Sequence, residues 1–221
     1  RGEAGTILVD VDAAARVRGL IANSHLAGCG GDGDRIFGRE DALLTFVKSD
    51  GGKVLNSGRA ACGLASVAGD AGMFFALSDQ LETEFAVEFR FRPDPADPVA
   101  AAAGFMLQAM PGCDLEKFAL MRQKLHEAAF RKLLIDRELP LETKLKKLLG
   151  RLTAGPAGYE LGRAPEFFCG CSADSMKRAL LTLGKAELRK LFAEQPHPEL
   201  VCRYCRKKHT FSASDFDLGG E

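Results

Sequence analysis

Hydrophobic and polar positions alternate with a period near two through much of the first half of the chain and with a period near 3.6 through most of the second. Residues 6–12 and 16–22 are short β-favouring runs parted by small residues, which predicts a hairpin. Residues 43–48 and 59–67 predict further strands. In 85–91 apolar side chains alternate with polar or small ones, and 100–110 is an apolar, glycine-containing strand ending at Pro111. Between these, 70–80 carries Met73, Phe74 and Leu77 at helical spacing, which predicts a short core-facing helix. The glycines of 27–34 predict a loop. It lacks a following Lys-Ser/Thr, so it does not have the pattern of a phosphate cradle.

After Cys113 the pattern changes. Residues 114–134 form a charged segment with Leu115, Phe118, Leu125 and Leu133 on one helical stripe, and Asp114 and Glu116 at its start suit the helix dipole. Pro140 interrupts, and 141–152 resumes as a Lys-rich helix. Residues 154–163 are a glycine-containing linker. Many charges and few large apolar groups predict low local stability for this middle part, with a stable amphipathic helical pair as the alternative. In the tail Ser172 caps a helix to about Leu181, with Met176, Ala179, Leu180 and Leu183 along one face. A second helix carries Leu188, Leu191 and Phe192 and stops at Pro196 and Pro198. Residues 200–202 and 209–211 can pair as a small hairpin. The fold class is therefore α+β: a sheet-rich core domain with helices over 1–113, a metastable helical linker over 114–164, and a small α+β module over 165–221.

Composition adds limits. Hydrophobic residues are 46% and charged residues 27% of 221, enough for one substantial core and a small extra module. No apolar run reaches the roughly 18 residues of a membrane span. No signal-type segment opens the chain, which begins at Arg1 rather than Met. Net charge is zero but uneven. Residues 1–113 carry 10 basic and 15 acidic side chains, 114–151 carry 10 and 6, and the tail from Pro165 carries 9 and 8. Four metal-bound thiolates would make that tail more acidic, which suits a general nucleic-acid binder poorly.

The cysteines supply the chemistry. Seven is an odd number and excludes a fully paired secreted framework, so a reducing compartment is expected. Cys29, Cys62 and Cys113 stand apart from any motif and read as buried or partly exposed free thiols. The other four form two tight pairs, Cys169-Gly-Cys171 and Cys202-Arg-Tyr-Cys205, with thirty residues between them. That spacing predicts a four-thiolate cage for one zinc ion, the intervening helices bringing the pairs together. Gly170 is expected to supply unusual backbone angles, and Arg203, Arg206, Lys207 and Lys208 to oppose the cage's charge. His209 is expected on the hairpin surface rather than as a ligand. Four sulfurs leave no open position for a substrate, and no Ser/His/Asp set or carboxylate pair stands out, so an enzyme is not expected. Thiolates are also the form that oxidants attack. Within each pair the sulfurs are close enough for disulfides, Cys169 with Cys171 and Cys202 with Cys205. Oxidation would then withdraw the metal and the folding energy it supplies.

Several stretches carry a resemblance. Residues 167–172 (Phe-Phe-Cys-Gly-Cys-Ser), 178–184 and Cys202-Arg-Tyr-Cys205 with 212–215, together with Arg1-Gly-Glu3, 17–20, 76–80 and 103–111, resemble the redox-regulated molecular chaperone family, heat shock protein 33. The similarity spans nearly the whole chain. It matches poorly over 27–58 and lacks the family's N-terminal stretch. The resemblance implies an ATP-independent holdase, zinc-bound and inactive when reduced. Oxidation would release zinc, pair the four cysteines and unfold the linker, protecting unfolding client proteins. It further implies a homodimer when active and a cytoplasmic location, or an organellar one if a targeting segment precedes Arg1. The rival reading is a zinc-ribbon module that binds nucleic acid or a ribosomal partner. Arg203, Arg206, Lys207, Lys208 and the basic 114–151 segment favour it; zero net charge and the lack of Trp oppose it.

Overall fold

The structure is a computed structural model that describes residues 2–38, 42–94 and 97–218; Arg1, part of the resemblance above, lies outside them. The fold is mixed α+β, with small sheets and seven helices among the described residues. Tertiary contacts divide the chain into two compact units, Arg1–Gly5 with His25–Glu160, and Thr6–Ser24 with Leu161–Glu221.

The first unit holds two antiparallel hairpins. Strands β3 (Leu43–Asp50) and β4 (Lys53–Ala61) turn at Gly51 and Gly52, both at positive φ. Strand β4 thus ends six residues before the predicted 59–67 strand would, and Val67 instead opens helix α2 (Val67–Phe74). The reason is local. Ser66 caps that helix through Gly69 N, and the buried Asp70 carboxylate accepts from the amides of Gly63, Leu64 and Ser66, which holds 62–66 as a loop. Helix α2 runs into a wider π-type turn over Phe75–Asp79, which Gln80 ends at φ 56°. Of the three apolar residues expected to face the core, only Phe74 does; Met73 and Leu77 are exposed. Phe74 and Phe75 connect the two hairpins: Phe46 of β3 lies 4.5 Å from Phe74, and Phe75 lies 6.2 Å from Phe85. The glycine-rich 27–34 loop contains a single helical turn at Ala27–Cys29, then helix α1 (Gly33–Phe37).

Strands β5 (Thr83–Phe91) and β6 (Val99–Gln108) form the second hairpin; helices α3 (Leu115–Leu125) and α4 (Ala128–Leu134) pack on it, and α5 (Leu141–Leu152) packs on those two helices. The single helix expected over 114–134 is two. The chain leaves helical geometry at Glu127 (ψ 138°) without a Gly or Pro. The cause is packing. Residues five apart on one helix point about 140° away from each other, and the break lets Leu125 and Phe130 enter the same core with Leu134, Leu148, Leu152 and Ala86. Leu115, expected on this stripe, is exposed. Phe130 meets Phe105 edge-to-face at 5.4 Å. Burying side chains of this size contributes about 1.5–3 kcal/mol each.

In the second unit β1 (Ile7–Val11) pairs antiparallel with β2 (Arg16–Ile21), from Ile7 opposite Ile21 to Val11 opposite Val17. The short strand β7 (Glu166–Phe167) adds to β2 in parallel. Helices α6 (Ala173–Leu181) and α7 (Lys185–Glu194) follow, then the hairpin β8 (Glu199–Val201) and β9 (Lys208–Thr210). Leu180, Leu188, Phe192, Phe211 and Phe216 form their core, while Leu183 lies beyond α6 and is exposed.

Candidate metal centre

Two segments far apart in sequence converge in the second unit. The first arrives along β7: Phe168 N donates to Val17 O at 3.0 Å, which ends the strand pairing immediately before Cys169. Ser172 then starts α6 with a reciprocal cap, its side chain accepting from Ser175 N and its own amide donating to Ser175 Oγ. The cysteines are therefore held between a paired strand and a fixed helix start. Gly170 is not at positive φ, and an added Cβ would meet only the Phe168 ring at 3.4 Å, so the expected unusual angles are not what it supplies. The second segment is a tight turn between β8 and β9. Cys202 N donates to Lys207 O and Arg206 N to Cys202 O, both at 2.9 Å, and Arg206 takes φ 63° to close it.

These turns bring the Sγ atoms of Cys169, Cys171, Cys202 and Cys205 within 4.8 Å of one another. Two of these approaches run across the pairs, Cys169 to Cys202 at 3.7 Å and Cys171 to Cys205 at 3.4 Å. A tetrahedral ion with metal–sulfur bonds of about 2.3 Å sets its sulfurs about 3.8 Å apart, so the spacing suits a tetrathiolate centre. The acid–base chemistry has the same implication. Hydrogen bonding to Cys205, then burial and the other sulfurs, push the Cys171 thiol up to about 12. Burial raises Cys202 as well, but the amides of Cys205 and Tyr204 and the neighbouring thiols outweigh it and leave it lowered to about 7. Of these two thiols Cys202 is the more easily ionised, and a nearby cation would favour the thiolate at Cys171 as well.

His209, expected on the surface, is buried at 7% exposure, and its Nε2 has no hydrogen-bond partner among the described residues. The hairpin turns it inward, opposite Leu200. It is not one of the four clustered ligand groups. Arg203, Arg206, Lys207 and Lys208 are exposed, and Lys208 pairs with Glu199 at 3.0 Å. The remaining thiols lie apart from the cluster. Cys29 is buried and donates to Glu3 Oε2 at 3.2 Å, and burial and that carboxylate raise it. Burial also raises the half-buried Cys62, and Cys113 is exposed.

Sequence reasoning missed the surroundings of the cage. The Tyr204 hydroxyl donates to Asp10 Oδ2 at 3.2 Å, the Arg18 guanidinium lies 4.3 Å over the Tyr204 ring, and Arg16 lies 4.4 Å over Phe168. The available signal was Asp10-Val-Asp12 facing Arg16-Val-Arg18 across a hairpin turn, with an aromatic residue next to a cysteine in each pair.

Comparison with known proteins agrees with this architecture. A sequence profile of the family described as Hsp33 protein matches residues 1–212. The 33 kDa chaperonin of Bacillus mycoides is 30% identical over 219 residues, covering 97% of this chain and 73% of that protein. The protein of the same name from Bacillus cereus is 29% identical over the same shares. The crystal structure of the 33 kDa chaperonin (heat shock protein 33 homologue) from Thermotoga maritima shares the fold with a TM-score of 0.75 at 23% identity, covering 97% of this chain and 72% of that one. With that profile across nearly its whole length and a four-cysteine cluster in its C-terminal region, the chain belongs to the Hsp33 chaperone family.

Proposed function

We propose that this chaperone is an ATP-independent holdase switched by oxidation, and that Cys169, Cys171, Cys202 and Cys205 hold one zinc ion in its reduced, inactive form. The observation that carries this reading is the cluster of four sulfurs within 4.8 Å, where a cation would favour the thiolates. Bound zinc supplies the dication that neutralises the thiolates and ties 169–171 to 202–205. The switch is then a matter of which sulfurs pair. Forming one disulfide takes two electrons from two thiols and reduces one peroxide to two waters, so four thiols consume two peroxides. Cross-pair bonds between residues 33 and 34 apart would keep the two segments tied, worth about 4 kcal/mol by loop closure. Bonds within the pairs, Cys169–Cys171 and Cys202–Cys205, leave them untied, and only these let the module open.

The segment released is 114–164, between a core of 1–113 and a switch module of 165–221. Helices α3 and α4 rest on a two-stranded sheet with α5 packed on them, and that sheet is marginal without them. Their rim is fixed by ion pairs between exposed arginines and half-buried glutamates, Arg122 with Glu84 at 2.9 Å and Arg131 with Glu88. Once lifted, these helices and the sheet beneath them present apolar surface to unfolding clients, and the active form is a homodimer. The role is binding, not catalysis. No helix among the described residues is long and apolar enough to cross a membrane; the cytoplasm is the proposed location.

The test compares reduced protein with protein treated with peroxide under mild heating. Oxidised protein is expected to suppress aggregation of a thermally unfolding test protein, to release one zinc per chain, and to yield peptide maps with both disulfides inside the pairs. Unchanged aggregation after oxidation, with tight and salt-dependent oligonucleotide binding, would instead support a nucleic-acid module. Zinc retention should also depend on pH with a definite sign. The ion binds thiolates, so binding expels protons, and lowering the pH below the ordinary thiol range weakens it. Chelator competition at a series of pH values is expected to show zinc affinity falling steadily between about pH 8 and 6, because each expelled proton contributes up to about tenfold per unit.

A further inference from the structure

The cage is gripped from outside by the β1–β2 hairpin, which lies about 150 residues earlier in the sequence. Asp10 and Arg18 face each other in register. Arg18 Nε and a terminal nitrogen both donate to Asp10 Oδ2 at 2.9 Å, and the same oxygen accepts the Tyr204 hydroxyl. Tyr204 lies between Cys202 and Cys205. Two residues along the same face of β2, Arg16 is held by Asp12 at 2.7 Å and covers Phe168, next to Cys169. One face of the hairpin thus contacts both halves of the cage, each through an arginine fixed by an aspartate and laid on an aromatic ring.

We infer that Asp10, Arg18 and Tyr204 form the outer shell of the metal centre and that the hairpin is a working part of the redox switch. This rests on the zinc-cage reading above. Arg18 is a positioning residue. Its charge opposes that of a tetrathiolate centre, and its plane fixes the Tyr204 ring, so the Cys202–Cys205 turn is held ready for metal. The coupling is reciprocal: ordered metal thiolates hold Tyr204 on Asp10, and loss of the metal frees the hairpin face.

The test uses the full reduced chain and zinc itself. Affinity is measured by competition with a chromogenic chelator for the parent, Arg18→Gln, Arg18→Lys, Asp10→Asn and Tyr204→Phe. Outer-shell partners commonly account for 10–100-fold in metal affinity, so Arg18→Gln and Asp10→Asn are expected to lose at least about tenfold. Tyr204→Phe, which keeps the ring under Arg18, is expected to lose less. Arg18→Lys keeps the charge but loses the plane over Tyr204 and the two-pronged hold on Asp10, and is expected to fall between Arg18→Gln and the parent, a partial recovery that a purely packing role would not allow. Hydrogen exchange provides a second readout: amides of 6–24 should lose protection when chelator strips zinc from the parent. The inference is overturned if Arg18→Gln binds within about twofold of the parent, if Arg18→Lys fails as badly as Arg18→Gln, or if hairpin protection ignores the metal. A parent that binds no zinc overturns the cage reading and this inference with it; a parent that binds zinc while Arg18→Gln is unaffected overturns the outer shell alone.

Discussion

Replacing Cys202 with serine is expected to take zinc content from one ion per chain to background in reducing buffer, and to unfold the carboxy-terminal module at ambient temperature. Cys202 is the most buried of the four sulfurs, and its amide and carbonyl close the turn that holds Cys205. A serine hydroxyl there is a hard, weakly acidic donor that does not replace a thiolate. Structural zinc contributes about 10–16 kcal/mol to small modules, more than such a module retains as net stability. The remaining structure cannot cover the loss. Strands β8 and β9 are three residues each, and the core beneath them is five buried side chains. Metal analysis and hydrogen exchange over 165–218 measure both effects. Full zinc retention in Cys202→Ser would remove this residue from the ligand set and leave a three-sulfur site to be explained.

How much of this was legible in sequence varies with the range of the interaction. The cysteine pairs, the Ser172 cap and the β1–β2 hairpin are governed by neighbours in the chain, and their residues announce them. The same holds for α5, whose extent is as expected from its periodicity. The 59–67 strand failed because β-favouring residues outweighed two local signals, the Gly51-Gly52 turn and the Ser66 cap. The break between α3 and α4 had no local signal at all, since only the sheet beneath requires Leu125 and Phe130 to face one way. His209 was misplaced for a similar reason: alternation cannot say which face of a three-residue strand is buried. The outer shell was hidden most completely. Asp10 and Arg18 are unremarkable surface charges until the fold sets Tyr204 against them, 194 residues from Asp10.

Replacing Phe130 with alanine is expected to activate the chaperone without any oxidant. Phe130 is fully buried at the centre of the larger core, edge-on to Phe105 and between α3 and α5. Large-to-small changes at such sites cost about 3–5 kcal/mol. Helix α4 has only seven residues and α3 eleven, so neither survives apart from the sheet. The loss therefore falls on the very segment proposed to open. In reducing buffer Phe130→Ala is expected to be cleaved by protease within 115–152 well before the parent, and to suppress aggregation of a thermally unfolding test protein while its zinc stays bound. The separation of the two readouts is what matters. Zinc retained together with holdase activity would place the client-binding step in the helices and reduce the metal centre to a trigger. If the helices of Phe130→Ala are released and zinc is retained, yet aggregation proceeds as with the reduced parent, then exposure of 114–164 is not the active state, and the client surface must be sought elsewhere in the chain.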